Sequence, residues 1–184
     1  MNRLKNYFDL IDKVDRYCFN IQKNYGEHIT CKKGCSECCV HINIFPVEAF
    51  AISVNLKKKN NAFQKYITDR AELLKNSTIC PILENDECLI YEARPIICRT
   101  QGFPLLIEKD NEKKVDFCVY NFQQILSFSK DSIISLEQLN VLLSTINHYF
   151  VLQYPNFYDS SKRFTIAEAL LMDWNQIYTD FTIQ

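Results

Sequence analysis

Eight of the nine cysteines in this chain fall into one pattern. Cys31, Cys35, Cys38 and Cys39 are spaced C-x3-C-x2-C-C, and Cys80, Cys88, Cys98 and Cys118 follow. Thiolates separated by two or three residues hold soft metals, because a short loop can turn several sulfurs onto one ion. Eight thiolates suit two chemistries: two closed four-thiolate zinc sites, or an iron–sulfur cluster on four thiolates with sulfurs to spare. Neighbouring side chains in extended backbone point to opposite sides. Cys38 and Cys39 therefore imply either two sites sharing one loop or one site beside a reactive thiol. The gap from Cys39 to Cys80 means that a metal would staple two distant segments, so binding energy would partly be folding energy.

Other residues near the cysteines have plainer explanations. His28 and His41 flank the loop as imidazoles able to bind zinc or iron, but eight sulfurs already suffice, and outer hydrogen-bonding or surface roles are preferred. Arg94 and Arg99 flank Cys98, where positive charge would offset excess thiolate charge or simply form ion pairs. Glu48 falls in the first turn of an expected helix, which the helix dipole alone explains. Cys18 falls on an apolar stripe and reads as a small buried hydrophobe. No Ser-His-Asp or Cys-His arrangement stands out.

The chain has 184 residues, 47% hydrophobic and 23% charged, which suits one globular domain with a sizeable core. Its formal net charge of −1 supplies no field for nucleic-acid or membrane binding. Only 3 glycines leave no glycine-rich phosphate cradle. The charged N-terminal segment does not read as a signal peptide, and no run nears the roughly 20 apolar residues of a spanning helix. A cytoplasmic location is expected. In a reducing compartment, nine cysteines argue for metal rather than disulfides.

The elements that must position the cysteines are mostly helical. Leu4, Phe8, Ile11, Val14, Cys18, Ile21 and Tyr25 recur at helical spacing and predict a helix over 4–25. A second is expected from Pro46, with Val47, Phe50, Ala51, Val54 and Leu56 on its apolar side, and a third over 62–75. Residues 80–91 read as a hairpin around a four-residue loop, Glu84-Asn85-Asp86-Glu87, followed by a turn broken at Pro95. Two further short strands are expected around 109–112. Ser135-x-x-Gln138 and Thr165-x-x-Glu168 match capping boxes and predict helices over 135–153 and 165–182. The expected fold is mainly α: a single helical domain, 1–184, with a small irregular β-hairpin and loop segment carrying the cysteine cluster. The metal-binding core would span 30–120.

Taken together, Cys31-x3-Cys35-x2-Cys38-Cys39, Glu48-Ala49, Cys80-Pro81-Ile82-Leu83, Cys88-x-Ile90-Tyr91-Glu92-x-Arg94-Pro95-x-x-Cys98-Arg99 and Cys118 resemble the YkgJ-type cysteine-cluster family. The resemblance covers about half the chain and implies a zinc- or iron-chelating domain with a metal site at the eight quoted cysteines. It departs from the family at one spacer, with three residues between Cys31 and Cys35 where two are common. Some relatives are flagellin lysine N-methylases, in which a similar cysteine domain is linked to methyl transfer.

Three functions of different class follow. The first is a metal-binding protein holding zinc or iron through eight cysteines. The second is an iron–sulfur, S-adenosylmethionine-dependent protein lysine N-methylase, because Cys31-x3-Cys35-x2-Cys38 also has the spacing of the radical S-adenosylmethionine cluster motif. The strand–helix alternation of that enzyme class is missing. The third is an adaptor that offers Phe157, Tyr158 or Phe164 to a protein partner. Apart from the metal ion, a protein substrate or partner is the only partner class expected.

Overall fold

The computed structural model describes residues 4–32, 34–109, 112–154, 159–175 and 177. The fold is mainly α, a single helical domain with two- and three-stranded β pieces. Helix α1 (Lys5–Tyr25) turns Tyr7, Leu10, Val14, Cys18 and Ile21 inward; Val14, Cys18 and Ile21 of the stripe read from the sequence are on this buried face, whereas Phe8 is exposed and Tyr7 and Leu10 take the inward positions at its start. Helix α2 (Pro46–Lys57) has Pro46 at its first position, and Pro46 to Ser53 are all buried. It is thus enclosed on all sides rather than amphipathic, as a central helix must be. Phe50 at its middle stacks on Phe150 and Trp174, with ring centroids 5.5 Å away in each case.

Helix α3 (Asn61–Leu74) starts where the Asn60 side chain accepts the Phe63 N–H at 2.8 Å. The hairpin β2 (Leu83–Glu84) and β3 (Glu87–Cys88) pairs Leu83 with Cys88 and Glu84 with Glu87. Its turn is therefore two residues, not the four expected. Asn85 and Asp86 both take positive φ (47° and 61°), the conformation that a tight turn matched to strand twist requires and that Asn and Asp tolerate.

Beyond Pro95 the expected break is a short helix, α4 (Ile96–Thr100), carrying Cys98. Strands β4 (Leu105–Lys109) and β5 (Glu112–Asp116) pair antiparallel, and β6 (Ile134–Ser135) joins β4 in parallel. Residues 110–111, in the expected turn, lie outside the described set. Helix α5 (Leu136–Val151) begins at Ser135, whose hydroxyl accepts the Gln138 N–H.

Strand β7 (Phe164–Thr165) pairs with β1 (Asn43–Ile44) and leads into α6 (Ile166–Leu171). The Thr165–Glu168 capping box forms as expected. The helix predicted over 165–182 is interrupted, however: Met172 is extended, with ψ 139°, and helical backbone returns at Asn175 and Ile177. The Trp174 indole donates back to the Ala169 carbonyl at 3.0 Å, and Asp173 Oδ1 accepts the Asn175 N–H, so the chain folds over at the interruption. Residues 176 and 178–182 of that expected helix lie outside the described set, as do Phe157 and Tyr158. Phe164, the third aromatic expected on a docking surface, is 4% exposed and packs against Trp174. It is core. Among the described residues no helix is long and apolar enough to cross a membrane.

Candidate metal centre

The cysteine loop before β1 is woven into the chain at three points. Val40 bridges Ile79, the Cys80 N–H donates to the Cys39 carbonyl at 3.2 Å, and the His41 N–H donates to Thr78 O at 2.8 Å. Ser36 Oγ meets Asp86 Oδ1 at 2.6 Å and ties the loop to the hairpin turn. A chain reversal 40 residues downstream thus brings Cys80 and Cys88 beside Cys39.

The thiols fall into two groups. Burial pushes the Cys98 thiol up to about 12, and neighbouring Cys80, Cys88 and Cys39 add repulsion that Arg94 partly offsets. Cys80 is pushed up to about 11 by burial, and Cys88 and Cys39 add to the rise. Cys39 is raised by burial and then by Cys88. On the other side, burial raises the Cys31 thiol, Cys118 and Cys35 raise it further, and the Asn121 amide lowers it. Cys38 is raised by burial and by its neighbours Cys39 and Cys35. Cys31, Cys38, Cys39, Cys80 and Cys98 are thus held toward the protonated form by low dielectric and by other sulfurs, and this cost is what a cation removes when it displaces the protons.

Cys38 and Cys39 lie in a turn closed by the Cys39 N–H to Ser36 O bond at 2.8 Å, not in extended backbone. Cys39 lies near enough to Cys38 to raise its thiol by repulsion. Among the described residues, no three His, Cys, Asp or Glu side chains are drawn together closely enough to form a ready-made metal site. The donor set is all thiol, which suits zinc or iron.

The residues around the sulfurs have separate tasks. His41 is spent on structure: Nδ1 lies 3.1 Å from Ser77 O, and Nε2 accepts the Ala167 N–H at 3.2 Å. That pattern assigns the proton to Nδ1 and leaves no ring nitrogen for a metal. Arg99 is a buried clamp. Its guanidinium bonds Asp15 at 2.6 Å, Arg94 O at 2.8 Å and Glu92 O, and so joins α1 to the turn before α4. Arg94 faces the thiols instead, with its guanidinium 3.5 Å from the centroid of the Tyr91 ring. Cys18 is buried, and its thiol donates to Arg99 O at 3.7 Å, away from the cluster.

Two supporting residues carry no sequence signal of their own. Asn121 is 1% exposed; its amide donates to Cys31 Sγ at 3.2 Å and to Gly102 O at 2.9 Å, and its oxygen accepts the Thr30 N–H at 2.9 Å. Phe122 beside it holds a positive φ of 55°, kept by a Phe122 N–H to His28 O bond at 2.7 Å. Such strain in a bulky residue persists only where surrounding contacts enforce it. Gly102, at φ +89°, lies so close that an added Cβ would meet Cys31 Sγ at 3.1 Å and Asn121 Nδ2 at 3.2 Å. Asn121→Ala leaves Thr30 N–H and Gly102 O without their partner. It should cost about 1–3 kcal/mol in urea unfolding; a change under about 0.5 kcal/mol, the range of a neutral surface substitution, would contradict this role.

Residues 30–119 match the model of the CxxCxxCC family, described as a "putative zinc- or iron-chelating domain". Through this segment the chain is similar to that family, which supports a domain of the zinc- or iron-chelating type. No curated protein and no solved structure matches the chain.

Proposed function

We propose that the chain is a metal-binding protein with two four-thiolate sites for zinc or iron. Cys39, Cys80, Cys88 and Cys98 form an inner site, and Cys31, Cys35, Cys38 and Cys118 an outer one. The grouping of the thiols by mutual repulsion carries this reading: Cys98 bears on Cys80, Cys88 and Cys39, whereas Cys31 bears on Cys118 and Cys35. Cys38 and Cys39 are the seam, neighbours in the chain whose thiols are both raised by Cys35. Closing either site means drawing four sulfurs to about 2.3 Å from the ion, a change that the loop around Gly34 accommodates at φ +91° with nothing within 4 Å of its Cα face.

The competing reading is an iron–sulfur cluster on Cys31, Cys35 and Cys38 serving an S-adenosylmethionine-dependent protein lysine N-methylase; the C-x3-C-x2-C spacing supports it. Anaerobic purification with elemental analysis and a visible spectrum separates the two. The two-site reading expects about two metal ions per chain and no labile sulfide. Iron with stoichiometric sulfide and a brown chromophore would favour the cluster and call for a test of S-adenosylmethionine binding. On the two-site reading, Cys38→Ser and Cys39→Ser each lose one ion, and a different one. If both variants lose the same ion, the proposed division is wrong.

A further inference from the structure

We propose that Cys31 and Cys118 are a redox pair, joined into a reversible disulfide by a small disulfide oxidant of the glutathione class. A disulfide needs only two sulfurs held side by side, and the fold holds these two that way. The inference does not depend on how the thiols divide among metal ions.

Segments 28–31 and 118–122 are stitched together. The Phe122 N–H donates to His28 O at 2.7 Å, and the Thr30 hydroxyl donates to Tyr120 O at 3.1 Å. The Asn121 oxygen accepts the Thr30 N–H at 2.9 Å, and its amide donates to Cys31 Sγ at 3.2 Å. The Asn121 N–H donates to the Cys118 carbonyl at 2.9 Å and closes the turn that carries Cys118. The two cysteines meet over Gly102, whose missing side chain leaves room for both. A Cβ added there would lie 3.1 Å from Cys31 Sγ and 3.6 Å from Cys118 Cβ. Among the sulfurs, Cys118 raises the Cys31 thiol most, ahead of Cys35. Cys38 and Cys39 are also close, but they are adjacent in the chain. Adjacent Cα atoms are about 3.8 Å apart, short of the roughly 4.4–6.8 Å that a disulfide spans.

Access sets the order of events. Cys31 is exposed and Cys118 half-buried, and the Asn121 amide at Cys31 Sγ favours its thiolate. Cys31 therefore meets the oxidant first. It gives up its proton and attacks one sulfur of oxidised glutathione. The glutathione disulfide breaks, and one glutathione leaves and takes up that proton. Cys118 then gives up its proton and attacks the Cys31 sulfur of the mixed disulfide. The Cys31–Cys118 bond forms, and the second glutathione leaves with the second proton. Two protein thiols are oxidised and one glutathione disulfide is reduced to two thiols. Excess reduced glutathione runs the sequence backwards. The link pins the start of the cysteine loop to the segment after β5 and withdraws both thiols from any other use.

The test uses the full chain kept in EDTA and equilibrated with mixtures of reduced and oxidised glutathione. Circular dichroism follows the helices. Free thiols are then blocked with iodoacetamide, and the digested chain is mapped by mass spectrometry. A peptide pair linked through Cys31 and Cys118 is expected, rising with the oxidised share and lost on return to reduced glutathione. Cys118→Ser should instead trap one glutathione on Cys31, and Cys35→Ser should leave the link unchanged. Several results would overturn the pair: no such link at any ratio, a link from Cys35 to Cys31 or Cys38 in its place, or no adduct on Cys31 in Cys118→Ser. A chain that loses its helices in EDTA and links at random would overturn it too, because the pairing would then not be built into the fold. EDTA is present throughout, so none of these outcomes bears on the two-site reading.

Discussion

Cys98→Ser should cost the protein one metal ion and at least about 3 kcal/mol of stability, lowering the melting temperature by about 10 °C. Cys98 sits on α4, which packs against α1, and its partners come from the cysteine loop and from both arms of the hairpin strand pair region. A metal on these sulfurs joins segments that are otherwise connected only by chain: the loop before α2, residues 80–88, and α4. In small zinc domains, bound metal supplies about 10–16 kcal/mol of apparent folding energy. This chain also has a helical core built on Phe50, Phe150 and Trp174, so only part of that sum is at stake. Serine keeps the shape but presents a hydroxyl in place of a soft thiolate. Cys18→Ser is the control, because Cys18 is more buried than Cys98 but outside the thiol groups; its metal content should stay unchanged. A Cys98→Ser protein with two metal ions and a melting temperature within about 2 °C of the parent, a shift worth under about 1 kcal/mol, would refute the inner site.

The second large effect is expected at Glu48. Its carboxylate is 3% exposed and accepts two backbone N–H groups, Phe45 at the start of α2 and Ile96 at the start of α4, each at 3.0 Å. One side chain thus caps the central helix and fixes the helix that carries Cys98. Glu48→Ala leaves both N–H groups buried and unpaired, at about 1–3 kcal/mol apiece, so a loss of about 2–5 kcal/mol is expected in urea unfolding. The same variant should weaken metal at the inner site by about 10–100-fold in a chelator competition, the usual effect of removing a group that orients a ligand. Glu48→Gln keeps one acceptor oxygen and should lose less in both assays.

The pH dependence at Glu48 has a definite sign. Burial pushes its carboxyl above the usual value, while the two N–H bonds and Arg163 pull it back only in part. A raised value in the fold means stability that is complete below the ordinary carboxyl range and is lost as pH rises through the folded value. The gap in stability between parent and Glu48→Gln should therefore be wider at low pH. An equal gap at every pH, or a Glu48→Ala variant within about 0.5 kcal/mol of the parent, the range of a neutral surface substitution, would remove Glu48 from this role.

The sequence by itself determined the thiolate chemistry and most helices, because both are local. C-x3-C-x2-C-C is a loop-scale pattern. The 3.6-residue stripe of α1, Pro46 at the head of α2, and the caps at Ser135 and Thr165 each depend on residues a few positions apart. Even the tight hairpin turn was available in Asn85-Asp86, two residues that tolerate positive φ.

The remaining features were decided by contacts far apart in the chain. The stretch that reads as one helix through 165–182 breaks after Leu171, where Trp174 folds back onto Ala169, before helical backbone returns at Asn175. Arg94 and Arg99 are alike on paper, yet Asp15, 84 residues away, takes Arg99 as a structural clamp and leaves Arg94 to face the thiols. His41 looks like a candidate ligand until Ser77 and Ala167 occupy both ring nitrogens. Glu48 reads as a helix-end charge until Ile96 arrives, 48 residues on. How the thiols group likewise turns on the Val40–Ile79 bridge and on Asn121, 90 residues from the Cys31 it touches. Spacing shows which sulfurs can share an ion within a loop; only the return of the chain brings distant sulfurs beside them.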